Sequence, residues 1–111
     1  MIEIIGTKKS RDTAKAIRYM KERRIPYSFI DLDDRDELPE KIWKSIFSSV
    51  DDPGTLIDTS SRFFRDGGYQ WREYDPEEEL REHPGLLVLP VIRNGMKAHA
   101  GFSESFLREV L

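Results

Sequence analysis

The stretch GTKKSRDT, Gly6 to Thr13, holds the residues with the most chemical promise in this sequence. An apolar run (Ile2, Ile4, Ile5) leads into a glycine and two lysines, and helical spacing begins directly after Ser10. A group placed there meets the free N–H groups and the positive dipole end of a helix, which favour an anion. Lys8, Lys9 and Arg11 add positive potential, suited to an oxyanion or to a solvated loop. A thiol in such a setting falls from its reference pKa of about 8.5 to roughly 3.5–7.5 and is a nucleophile at neutral pH. The residue present is serine, whose hydroxyl needs a positioned general base. The histidines are His83 and His99, and neither lies in a motif that pairs it with Ser10. Serine is also among the best helix N-caps, worth about 1 kcal/mol over alanine.

Composition narrows the setting. A chain of 111 residues, 38% hydrophobic and 35% charged, fits a single domain, residues 1–111, with one compact core and a solvated surface. The net charge of -3 argues against direct nucleic-acid or membrane binding, which would need a concentrated basic face. The chain has no cysteine, which excludes disulfides, thiolate catalysis and Cys-based zinc sites. No apolar run approaches the roughly 18 residues of a membrane span. With no signal-peptide pattern at the start, a soluble cytoplasmic monomer is expected. Glu77 to Glu79 are adjacent at a helix start and do not converge on one face, so no metal site is expected.

The elements that must position Ser10 follow from periodicity. A strand is predicted over about Ile2–Ile5 and a helix over about Arg11–Arg23, with Ala14, Ile17 and Met20 on its apolar face beside Ala16. Ile25 and Pro26 end it, and YSFIDL reads as a buried second strand. Strand, helix and strand form a βαβ unit, so the two strands are parallel and the crossover right-handed. After a charged loop, Asp33 to Glu37, the residues Leu38, Ile42, Trp43, Ile46, Phe47 and Val50 define an amphipathic helix broken at Asp52-Pro53-Gly54. Residues 55–71 read as short helical pieces, with Asp58 or Thr59 as a cap and Gly67-Gly68 as the end. Asp75-Pro76 starts a further helix that ends near His83-Pro84-Gly85. Asn94-Gly95 suggests a type I′ hairpin between Pro90–Arg93 and Met96–Ala100. Ser103 then caps a last helix carrying Phe106, Leu107, Val110 and Leu111.

The β-α-β, helices, β-β-α order is that of an α/β thioredoxin-like domain: a four-stranded mixed sheet with a helical insertion between the βαβ and ββα units. The residues resemble, more narrowly, the arsenate reductase and Spx family. IIGTKKSRDTAKAIRYMKERRIPYSFIDL stands where that family shows a strand, a Cys-x-x-Cys or Cys-x-x-Thr/Ser loop and a helix. LIDTSSRFFRD is similar to its central L-I-x-T-x-S-x-x-F segment, and EHPGLLVLPVIRNGMKAHAGF to its E-x-P-x-L-L-x-R-P-I-V and following strand. The resemblance spans nearly the whole chain.

It places the family's nucleophilic cysteine at Ser10 and the fourth motif position at Thr13, and implies a one-thiol scheme drawing on glutathione or another small thiol, with no bound cofactor. The arginine that helps hold the oxyanion in the reductases falls on Leu89. Lys8, Lys9 and Arg11 become candidates for binding an oxyanion or the carboxylates of glutathione. Arg62, with Arg65 nearby, is a candidate for a second oxyanion-binding arginine or, the preferred reading, part of a solvated helix face, and Pro90 is a candidate for the cis-proline facing the active loop. Ser10 is then a natural replacement for the thiol, an engineered Cys-to-Ser change, or a working serine. The resemblance implies a thiol-dependent oxidoreductase scaffold that is inactive with Ser10. Its alternative is a non-enzymatic, Spx-like protein acting on RNA polymerase.

Overall fold

The computed structural model describes residues 1–35 and 37–111. Strand β1 spans Ile2–Gly6, helix α1 Arg11–Glu22 and strand β2 Tyr27–Asp31. β1 and β2 pair in parallel, Ile2 opposite Tyr27 through Gly6 opposite Asp31, as the βαβ pattern requires. Helix α2 covers Glu40–Ser48, α3 Arg62–Asp66 and α4 Pro76–Glu82. Strands β3 (Val91–Asn94) and β4 (Lys97–Ala100) and helix α5 (Glu104–Val110) complete the chain. The sheet order is β2-β1-β3-β4, with β3 antiparallel to both of its neighbours. Position 36 of the expected charged loop lies outside the described residues.

Alternation along the central strands sorts side chains between two cores. Ile2, Ile4 and Ile92 pack with Ala16, Met20 and Leu107 beneath α1 and α5. Ile5 and Val91 point the other way, into a larger cluster with Trp43, Ile46, Leu56, Leu80 and Leu86. Arg93 is buried with this sheet: its Nε donates to Ser45 Oγ of α2 at 2.7 Å, and its guanidinium pairs with Glu3 of β1. That satisfied ion ties two strands to α2, and neither partner carries a motif.

Four local expectations change. The buried stripe of α1 is Thr13, Ala16 and Met20, while Ala14 is exposed and Ile17 half-buried. β2 is an edge strand, and of its residues only Ile30 is fully buried. The cap of α3 is Ser61, whose Oγ accepts the Phe64 N–H at 3.1 Å. In the hairpin, Asn94 still pairs with Lys97, so the turn is Gly95-Met96. Gly95 has a φ of 64° and Met96 a negative one, the pattern of a type II′ turn with glycine first. The Asn94 side chain is drawn instead to α5, where its amide donates to the Val110 carbonyl at 3.0 Å.

Candidate functional site

Ser10 stands at the junction of β1 and α1. Its backbone is extended, and its Oγ accepts the Thr13 N–H at 3.2 Å. Its own N–H donates to the Thr7 carbonyl at 3.2 Å, closing the loop into a tight turn. The hydroxyl is therefore the N-cap of α1. One helical turn on, Thr13 is buried over Gly6, and its Oγ1 has no hydrogen-bond partner among the described residues.

A cavity of about 410 Å³ opens beside this cap, lined by Ser10, Arg11 and Asp12 on one side and by Asp58, Ser61, Leu87 and Leu89 on the other. The far side is held by strand-like pairing outside the sheet. Ile57 and Leu87 form an antiparallel bridge, the Asp58 N–H donates to the Leu86 carbonyl at 2.8 Å, and the Val88 N–H to the Leu56 carbonyl at 2.8 Å. These bonds carry the start of α3 over to face the start of α1. Ser61 Oγ donates to the Asp58 carbonyl at 2.8 Å, and Asp58 Oδ1 accepts the Ser60 N–H at 3.0 Å and its hydroxyl at 2.6 Å. The Leu89–Pro90 bond is cis, and Pro90 is buried and is not among the residues lining the cavity, its carbonyl accepting the Gly101 N–H at 2.8 Å.

The structure separates the expected anion-binding residues. Arg11 lines the Ser10 cavity, whereas Lys8 lines a different groove along α1. Lys9 is exposed and is not among the residues lining the Ser10 cavity. Arg62 lies in a third recess with Phe63, Asp66 and Gly67. Thr13 serves Ser10 through its backbone. Asp12, Asp58 and Ser61 join the site, although their sequence context marks them only as a first-turn acid and turn or cap residues.

The chemistry of this cavity is limited. One cation, Arg11, faces two carboxylates, Asp12 and Asp58, a balance that opposes a dianionic oxyanion. Leu89 adds an apolar side chain to the lining. Neither histidine lines the cavity. His83 packs on Phe63 with ring centroids 5.4 Å apart, and His99 Nδ1 is engaged with the Gly101 carbonyl at 3.1 Å. Elsewhere, ligand atoms of Glu79, Glu82 and His83 lie within 4.8 Å of one another on the surface of α4, but Glu79 is already paired with Arg72 at 3.2 Å.

A βαβ unit, a cis-proline entering an antiparallel hairpin, and a capped loop at the first helix define this molecule as a thioredoxin-like α/β domain. Solved structures narrow the likeness. An ArsC-family-related protein from Bacteroides fragilis superposes with a TM-score of 0.83 at 15% identity, over 99% of this chain and 97% of its own. An arsenate reductase from Vibrio cholerae gives 0.79 at 13% identity, over 99% and 97%. A glutaredoxin from Archaeoglobus fulgidus gives 0.50 at 15%, over 98% and 83%. The chain thus has the fold of arsenate-reductase-type proteins over its whole length, helical insertion included. No protein-family model and no curated protein matches the sequence. Among the described residues, no helix is long and apolar enough to cross a membrane.

Proposed function

We propose that this protein is a reductase scaffold of the arsenate-reductase and Spx type that, with serine at position 10, performs no thiol chemistry. The observation that carries this reading is the Ser10 hydroxyl itself. It caps α1 at 3.2 Å from the Thr13 N–H, in a cavity lined by no histidine. A thiolate at the same place would be stabilised by that N–H, the helix dipole and Arg11; a neutral hydroxyl gains nothing comparable. In a thiol-bearing form, a small thiol such as glutathione would supply the electrons. The two carboxylates and Leu89 count against arsenate as the substrate. A cytoplasmic setting fits this chemistry.

Restoring the thiol tests the reading. Ser10→Cys should give a cysteine whose alkylation rate reports a pKa below the reference of about 8.5. The unmodified protein should show no glutathione-dependent reduction of disulfides or arsenate. A cysteine pKa at or above the reference, or reductase activity in the unmodified chain, overturns it. If Ser10→Cys is activated but arsenate is not reduced, Leu89→Arg in the same background should add arsenate turnover.

The apolar and acidic lining favours a second reading, in which the fold persists for binding alone and the protein acts on RNA polymerase as Spx-like proteins do. Saturable binding of a purified polymerase subunit by the unmodified protein, with Ser10→Cys still catalytically silent, would favour it.

A further inference from the structure

Helix α1 and the loop before it concentrate the positive charge of the molecule. From Lys8 to Arg24 there are eight Lys and Arg and two acids, a local charge of +6 in a chain of net charge -3, so the remainder carries -9. All eight cations are exposed, and none forms an ion pair among the described residues. The whole-chain balance hides this basic face, against the expectation drawn from composition.

The face contains a groove of about 310 Å³. Its apolar surface comes from Ala14, which is exposed, and from the open side of Ile17, which is half-buried at the edge of the core cluster beneath α1. Lys8, Arg18 and Lys21 stand around it. A slot of apolar side chains ringed by cations that form no ion pair among the described residues is complementary to a segment that offers carboxylates around an apolar side chain.

We propose that this groove is a docking site for an acidic, amphipathic polypeptide segment of a partner protein. Carboxylates of the segment meet Lys8, Arg18 and Lys21, and one apolar side chain fills the slot over Ala14 and Ile17. A nucleic acid fits less well. Arg23 lies over the Tyr19 ring at 3.6 Å and Lys15 over Phe102 at 4.8 Å, so these rings are covered against base stacking. Asp12 and Glu22 also interrupt a phosphate track. A membrane surface fits less well because the apolar side chains line a recess instead of projecting. The site is separate from the Ser10 cavity and holds under either reading of that cavity.

The test uses the full chain and a fluorescein-labelled helical peptide of Glu and Leu, followed by anisotropy and by backbone amide shifts. The proposal expects saturable binding with shifts at Thr7, Lys8 and 13–21. Replacing each Leu of the peptide with Ser should weaken binding at least about tenfold, as loss of apolar burial requires. Arg18→Glu with Lys21→Glu should weaken it similarly, with an unchanged far-ultraviolet spectrum. Ile17→Ser serves as a second variant that leaves the charges intact, and it should weaken binding too. No binding at millimolar peptide, shifts elsewhere, binding indifferent to both variants, or tighter binding of a single-stranded RNA oligomer or of phosphatidylglycerol vesicles overturns the proposal.

Discussion

Ser10 Oγ receives the Thr13 N–H, so its lone pair serves the helix before it can serve a substrate. Ser10→Ala should therefore cost stability, about 1 kcal/mol, the usual worth of an N-cap oxygen. A urea midpoint unchanged within error would mean that the Thr13 amide has another partner. The cap role is legible in sequence because it is local: serine precedes a helical period, and its partner lies three residues away. Asp58 and Ser61 are not legible as neighbours of Ser10. Their approach depends on hydrogen bonds between residues 56–58 and 86–88, which no local spacing announces. Arg62 is absent from the lining of this cavity for a related reason. Ser61, not Asp58 or Thr59, caps α3, and Arg62 belongs to a different recess from the one Ser61 lines.

Between elements, two contacts decide how the site is held. The first is the seat of α1 on β1. A Cβ added at Gly6 would fall inside the Thr13 side chain, which is fully buried there. Gly6→Ala should destabilise the fold by about 1–3 kcal/mol through overpacking, and Thr13→Ala in the same chain should recover part of that loss. Additive losses in a double-mutant cycle would show that the two residues do not share this space. The second is the clasp between α2 and α4, where Arg81 donates to both oxygens of Glu40 at 2.7 and 3.2 Å. The hydrogen bond from Arg81 holds the Glu40 carboxyl below its usual value against the opposing effect of desolvation, with the charges of Arg81 and Lys44 adding to the lowering. A depressed carboxyl pKa contributes stability above the unfolded value, lost as pH falls through the folded one. Glu40→Gln should thus lower the urea midpoint slightly at pH 7 and lose its effect in acid. The effect is small because the pair is exposed and screened. An equal loss at both pH values would assign the cost to packing. Strong local signals placed most elements: the parallel βαβ, the Asp75-Pro76 start and the Ser103 cap. The Asn94-Gly95 signal misplaced its turn because tertiary pairing overrode it, with Arg93 held by Glu3 and Ser45 and Asn94 by α5.

Across the whole molecule, charge is separated as cleanly as the two cores are. Alternating strand residues give each face of the sheet its own apolar cluster, where composition leads to the expectation of one compact core. The separation of charge escapes a reading based on the net value of -3, because an acidic remainder masks the basic α1. That arrangement has a cost inside the helix. Arg11 sits in the first turn, where the dipole disfavours a cation, and Lys15, Arg18 and Lys21 follow one another at spacings of three. Like charges at such spacings cost about 0.2–0.5 kcal/mol per pair. Arg18→Glu converts two of those repulsions into attractions, against one attraction, to Glu22 four residues on, that becomes a repulsion, so the balance still favours the variant. In dilute buffer it should raise the melting temperature, even as it weakens the docking proposed for this face. At about 1 M salt the Debye length shrinks to about 3 Å, and the two proteins should melt together. The native chain itself should gain stability between about 10 and 150 mM salt as its basic face is screened. Thermal unfolding of both proteins across that range checks this, and a lower melting temperature for Arg18→Glu in dilute buffer would show that Arg18 is held by contacts that stabilise the fold and is not a free cation kept for a partner.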